Sequence, residues 1–238
     1  MRRVLFLVEG STDKQRLSAL SSVFEKMQII IIPIGGDILS RDDYKNQPFT
    51  LIKKILEKDK LYEVTDFDEI IQITDTDACF ISGDNYISSS QSNHIIYFED
   101  HVETKNIKTT IALRRCKAKN IKKLLSNPFI KLYYNSINID HAFSGVANLT
   151  TAKKRALALK MYHHEKNNPL HFIKTIKEVN SSNIYDYKKS WEYIMHDKNS
   201  LSRSSNLLIF ILDHYEYLKK DIKTFISLSC SSKDLLDN

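Results

Sequence analysis

The sequence predicts an α/β fold, with a parallel-sheet core covered by helices on both faces and an α-helical C-terminal part. Three observations predict it. Apolar runs of strand type at residues 4–8, 29–32 and 69–74 are separated by stretches of helical spacing, the order that gives right-handed crossovers and a parallel sheet. The first run, Val4-Leu5-Phe6-Leu7-Val8, is apolar at every position, as a strand buried on both faces is. After residue 98 the pattern is helical and nothing reads convincingly as a strand.

In order, the strand over 4–8 stops at Glu9-Gly10. A helix is expected over 12–26, with Thr12 and Gln15 spaced for a capping box and Leu17, Leu20 and Phe24 on one face. The β-branched run 29–32 ends in Pro33-Ile34-Gly35-Gly36, and residues 49–56 have helical spacing with Lys53, Lys54 and Glu57 outside. A third strand covers 69–74. Residues 83–93 are polar and include Ser88-Ser89-Ser90, which predicts a loop. A fourth strand is expected over 94–98, ending at Glu99-Asp100, and a basic helix over 106–125. Past Pro128, helices are expected over 151–165, 169–179 and 187–196, with a closing helix over 207–228. This suggests an α/β domain over 1–125 and a helical region over 126–238, although no linker composition marks the boundary.

Composition narrows the function classes. A chain of 238 residues with 42% hydrophobic residues builds a true core. The net charge of +6 suits a polyanionic partner. Cys79, Cys116 and Cys230 are odd in number and widely spaced, which argues against a disulfide framework and a structural zinc site. No secretory pattern and no run near the roughly 20 apolar residues of a membrane span occurs, so the cytoplasm is the expected compartment. Gly35-Gly36-Asp37 lacks the Gly-Lys-Ser/Thr of a phosphate-binding loop, which argues against ATP hydrolysis by this chain.

Two acidic motifs carry the chemistry. The first strand runs into Glu9-Gly10-Ser11-Thr12-Asp13, where Gly10 permits a tight turn and a helix N-terminus follows. The third strand ends in Asp75-Thr76-Asp77, whose carboxylates point the same way if the chain stays extended. Neighbouring parallel strands would bring Glu9, Asp75 and Asp77 to one edge, where a hard divalent cation offsets their repulsion.

These motifs resemble the TOPRIM domain of topoisomerases, bacterial primases, recombination mediators and OLD-type nucleases, over about residues 3–100. Glu9-Gly10 with Asp13 matches the first family motif, and Asp75-Thr76-Asp77 the second. The resemblance implies Mg²⁺ or Mn²⁺ on Asp75 and Asp77, with Glu9 as general acid/base or further ligand. Asp13 or Glu99 would support a second ion. Ala78-Cys79 stands where many members carry a glycine. Ser126-Asn127-Pro128-Phe129 and Tyr133-Tyr134-Asn135-Ser136 also resemble the RloB-like group of bacterial defence proteins, although Ile130-Lys131-Leu132 replaces that group's usual continuation.

Basic residues supply the candidate nucleic-acid contacts. Arg114 and Arg115 lie on the helix over 106–125 with Lys119, and Lys14 lies in the first turn after Glu9. The other account is a solvated helix face. Tyr133, Tyr134, Tyr185, Tyr187 and Trp191 could stack on bases or fill the core, and core is the commoner fate. The expected activity is divalent-metal-dependent hydrolysis of DNA or RNA, as an effector in bacterial phage defence controlled by a protein partner such as an ATPase. The alternative is a non-catalytic module of the same fold that binds nucleic acid or a partner.

Overall fold

In the computed structural model, which describes residues 2–18, 21–25, 29–36, 38–39, 48–89, 94–180 and 184–214, four parallel strands form the central sheet. They are β1 (Arg2–Val8), β2 (Ile29–Gly35), β3 (Glu69–Asp75) and β7 (Ile130–Asn135), in the order β2-β1-β3-β7. β1 and β3 are neighbours in the middle, in the register Val4↔Glu69 to Leu7↔Gln72. β2 is an edge strand, which tolerates Pro33 because its missing N–H costs no ladder bond on the outer side.

The side-chain alternation of β1 divides the interior. Val4, Phe6 and Val8 pack with Ile71, Ile73 and Tyr133 on one face, under α1 (Ser11–Leu17), α2 (Ser21–Glu25), α5 (Ile139–Ser144), α7 (Pro169–Glu178) and α9 (Leu207–Asp213). Leu5 and Leu7 pack with Ile70, Leu132 and Tyr134 on the other, under α3 (Pro48–Asp59), α4 (Ile107–Leu125) and α8 (Tyr187–Met195). α6 (Thr151–Asn167) reaches the first face through Met161. A parallel sheet covered on both faces is therefore the architecture. Fully burying a large apolar side chain contributes about 1.5–3 kcal/mol, which explains why both faces of β1 are apolar.

Several expectations are corrected. Residues 130–135 form a central-sheet strand, so strands do occur after residue 98, and the sheet crosses the boundary suggested near 126. The helix expected over 12–26 is two helices, and its cap comes from Asp13, which accepts a hydrogen bond from the Gly10 amide at 2.8 Å, in place of the Thr12–Gln15 pair. Leu20 and Lys26 lie outside the described residues, as do residues 215–228 of the closing helix and Cys230. Within the expected loop, β4 (Tyr86–Ser88) pairs with β6 (Val102–Thr104), which in turn pairs with β5 (Ile96–Tyr97) in a second, three-stranded sheet. Residues 90–93 of that loop lie outside the described residues. Among the described residues no helix is long and apolar enough to cross a membrane.

Candidate active site

The order β2-β1-β3-β7 has one place where the chain changes direction across the sheet. From β1 it moves outward to β2, then returns over β1 to β3. The crevice at the carboxyl ends of β1 and β3 is the topological switch point, where open α/β sheets bind ligands. Glu9 follows β1 directly and Asp75 closes β3, so both acids stand at that crevice.

Glu9 Oε1 ties the two strand ends together. It accepts from Thr74 Oγ1 at 2.8 Å and from the Asp75 amide at 3.0 Å. Asp77 does not lie on an extended continuation of β3. Asp77 and Ala78 occupy the left-handed region, with φ of 52° and 56°. Each such residue costs roughly 1–2 kcal/mol, and the loop is held in place by neighbouring backbone. Thr76 donates to Asn135 O at 2.8 Å, Asp77 donates to Ile137 O at 2.9 Å, and Ile137 donates to Thr76 Oγ1 at 3.0 Å. The acids converge because the chain turns back, not because it stays extended.

α4 supplies the counter-charges. Lys117 Nζ lies 2.6 Å from Glu9 Oε1 and 2.7 Å from Asp77 Oδ2, with its side chain only 3% exposed. Arg114, one turn earlier on the same face, places Nη1 2.9 Å from Asp77 Oδ2. Its Nη2 donates to Tyr97 Oη at 2.7 Å, and Tyr97 Oη donates to Asp77 Oδ1 at 3.2 Å. Burial alone would push the Asp77 carboxyl up, but Lys117 and Arg114 overcome it and hold Asp77 below the usual aspartate value. Burial would lower Arg114, and Asp77 reverses that to a net rise.

Asp75 is the opposite case. Its carboxyl is pushed well above the usual value, first by burial and then by the charges of Glu9, Asp13 and Asp77. Its Oδ1 accepts a long hydrogen bond from Asn135 Nδ2 at 3.3 Å. The carboxyls of one motif are thus shifted in opposite directions by their surroundings.

The remaining expected residues are placed as follows. Asp13 is buried and turned toward its own helix start, with its pKa raised first by burial and also by Asp140. Behind it, Arg16 pairs with Asp140 at 2.7 Å and donates to Ile139 O, tying α1 to α5. Gly10 is extended at φ −130°, so no turn requires a glycine there; a Cβ would meet Asp13 Oδ2 at 3.4 Å. Lys14 is exposed on α1. Glu99 is exposed in the turn between β5 and β6, and the side chain this element sends to Asp77 is Tyr97. Arg115 and Lys119 are exposed on α4, while Arg114 is committed to Asp77. Tyr133, Tyr134 and Trp191 are core residues; Tyr185 is half exposed.

Lys117, Tyr97, Thr74 and Asn135 complete the site, and none of them is among the site residues expected from sequence. For Lys117 a signal existed. Thr110, Lys117, Ile121 and Leu124 are the buried residues of α4 and recur at helical spacing, so Lys117 shares the apolar stripe.

The donor chemistry fits a small hard cation carried by one or two carboxylates and water, the habit of Mg²⁺. Asp75 is the carboxylate whose repulsion such an ion relieves. No three His, Cys, Asp or Glu side chains among the described residues are arranged as a ready cage, and the Lys117 ammonium stands between Glu9 and Asp77. Comparison with protein-family models, curated proteins and solved structures returns no match.

Proposed function

We propose that this protein is a TOPRIM-type nuclease that hydrolyses phosphodiester bonds of DNA or RNA with Mg²⁺ or Mn²⁺, as an effector in bacterial phage defence. One observation carries the reading: Glu9, Asp75 and Asp77 meet Lys117 and Arg114 at the switch-point crevice. Asp75 and Asp77 would hold the cation, which when bound neutralises charge on the scissile phosphate. Glu9 orients and accepts the proton of the attacking water, and Arg114 adds positive charge beside Asp77. The expected second ion has no ready donor in Asp13, whose Oδ2 accepts from the Gly10 amide, or in Glu99, which is exposed in the turn between β5 and β6. The exposed Arg115 and Lys119, with Lys14 on α1, draw the polyanion toward this edge. Control by a partner such as an ATPase rests on analogy between folds.

A second reading, a non-catalytic module that binds nucleic acid or a partner, is favoured by the ion pairs that already satisfy Asp77. The two separate in one experiment. The full chain is incubated with Mn²⁺ and a panel of DNA, bulk RNA and tRNA, alongside Asp75→Ala and Asp77→Ala. The nuclease reading expects cleavage by the wild type and loss in both variants. Cleavage within a few-fold of wild type in both removes the metal site; binding without cleavage selects the module.

A further inference from the structure

Lys117 is a buried lysine at the centre of an acidic site, and its role is not explained by attraction of a polyanion. Its ammonium bridges Glu9 and Asp77 at 2.6 and 2.7 Å. Both Asp77 oxygens are already engaged: Oδ2 by Lys117 and Arg114, Oδ1 by the Tyr97 hydroxyl. A divalent cation seated on Asp77 Oδ2 on the side facing Glu9 takes the place where Lys117 Nζ now stands. Arg114 is pinned through two nitrogens to two partners, Asp77 and Tyr97, in a rigid planar fork. Lys117 is a point charge on a flexible four-carbon stem, and both of its acid contacts run through the single Nζ. Of the two donors, it is the one whose stem can swing without breaking a two-pronged contact.

We propose that Lys117 is an exchangeable internal counter-ion: its ammonium holds Glu9 and Asp77 together in the metal-free protein and swings out when a divalent cation takes its place. The inference rests on the reading of the site as a divalent-cation site, and adds that loading the ion and freeing Lys117 are one event. Asp77 Oδ2 already carries two cationic donors, so a divalent ion added beside Lys117 meets strong repulsion from its ammonium, and each disfavours the other. The acids are thereby kept close and ordered before metal arrives, and the freed ammonium becomes available to a phosphate at the same crevice. By reciprocity, whatever binds Lys117 away from the acids strengthens metal binding.

The test uses the wild-type full chain. Limited amine acetylation with and without Mn²⁺ is read by peptide mass spectrometry, with exposed Lys119 and Lys122 as references, and Mn²⁺ binding is followed by calorimetry. The expected result is a protected Lys117 in chelator and about a tenfold rise in its labelling with Mn²⁺, the references unchanged, a change of about 1.4 kcal/mol. Lys117→Met should bind Mn²⁺ about tenfold tighter than wild type, and Lys117→Arg no tighter. Mn²⁺ heat with a still-protected Lys117 overturns the exchange and leaves the cation site standing. No Mn²⁺ heat in wild type or Lys117→Met overturns the cation site itself. If Lys117→Met does not fold, the labelling of the wild type alone decides.

Discussion

The opposite environments of Asp75 and Asp77 make a sharp prediction for two isosteric variants of the metal-free protein. Asp77→Asn strips the charge that faces Lys117 and Arg114. Breaking a fully buried pair costs about 3–5 kcal/mol. Here the Asp77 side chain is 24% exposed and Lys117 keeps Glu9 at 2.6 Å, which reduces the expected cost to about 1–2 kcal/mol. Asp75→Asn keeps an acceptor for Asn135 and removes a charge repelled by Glu9, Asp13 and Asp77. The gain is on the order of 1–2 kcal/mol, the scale of a like-charge pair in partly hydrated protein. At about 2–4 °C per kcal/mol for a domain of this size, Asp77→Asn lowers Tm by roughly 2–8 °C and Asp75→Asn raises it by a similar amount near neutral pH. The pH dependence fixes the sign. Asp75 has a folded pKa raised above its ordinary 3.8, so its share of stability is present below 3.8 and lost as pH rises through the folded value. The advantage of Asp75→Asn therefore shrinks on acidification. Asp77 is lowered, so its share is present above 3.8 and lost as pH falls through the folded value. Thermal melting at pH 7 and pH 4 in chelator reads both. A destabilised Asp75→Asn at pH 7 would refute the charge assignment.

Two further predictions concern the outer face of α4 and the far end of the sheet. Neutralising Arg115 and Lys119 together should weaken nucleic-acid binding and reduce the salt slope by about 0.7–0.9 per lost phosphate contact, measured by fluorescence anisotropy across salt concentrations; an unchanged slope means the face is only solvated. Glu69 accepts from Arg2 at 2.9 Å and from His214 Nε2 at 2.6 Å, while His214 Nδ1 lies 2.8 Å from Phe210 O. Burial would raise Glu69, but His214, Lys131 and Arg2 bring it below the ordinary 4.5, so its stability is present above 4.5 and lost as pH falls through the folded value. Glu69→Gln should cost about 1.5–3 kcal/mol at pH 7 by chemical denaturation, and a difference that persists below the titration range would show the ion pair is not its cause.

The strands that carry the acids were legible because each is an apolar run that stops at a carboxylate, and a run apolar at every position reads as a strand buried on both faces. β7 was not, because Ile130-Lys131-Leu132-Tyr133-Tyr134-Asn135 mixes a charge with two tyrosines. The structure resolves that mixture. Lys131 is half exposed near Glu69 and Asp213, whereas both tyrosines are fully buried, one on each face of the sheet. The counter-charges were harder still. α4 carries many lysines and arginines, and only the phase of the helix separates Lys117, in line with Ile121 and Leu124, from exposed Arg115 and Lys119. Charge type alone gives no such phase.

The geometry at Asp77 explains why both kinds of information are needed. Had the chain continued as a strand, Asp75 and Asp77 would have pointed to one side of the edge with equal surroundings. Instead the chain enters the left-handed region at Asp77 and Ala78, neither of which is glycine. Backbone in that region persists only where its surroundings over-determine it. Those surroundings are the end of β7 at Asn135, which accepts from Thr76, the loop after it at Ile137, which accepts from Asp77, and the buried Tyr86 hydroxyl, which donates to Ala78 O at 3.1 Å. The turn carries Asp77 to Lys117 and Arg114 while Asp75 stays at the strand end beside Glu9. One three-residue motif thus delivers one carboxylate that binds its charge tightly and one that resists carrying it. Under the proposed reading, a cation would gain from that asymmetry, because the strained acid held by Lys117 and Arg114 fixes position and the repelled Asp75 supplies the drive to bind.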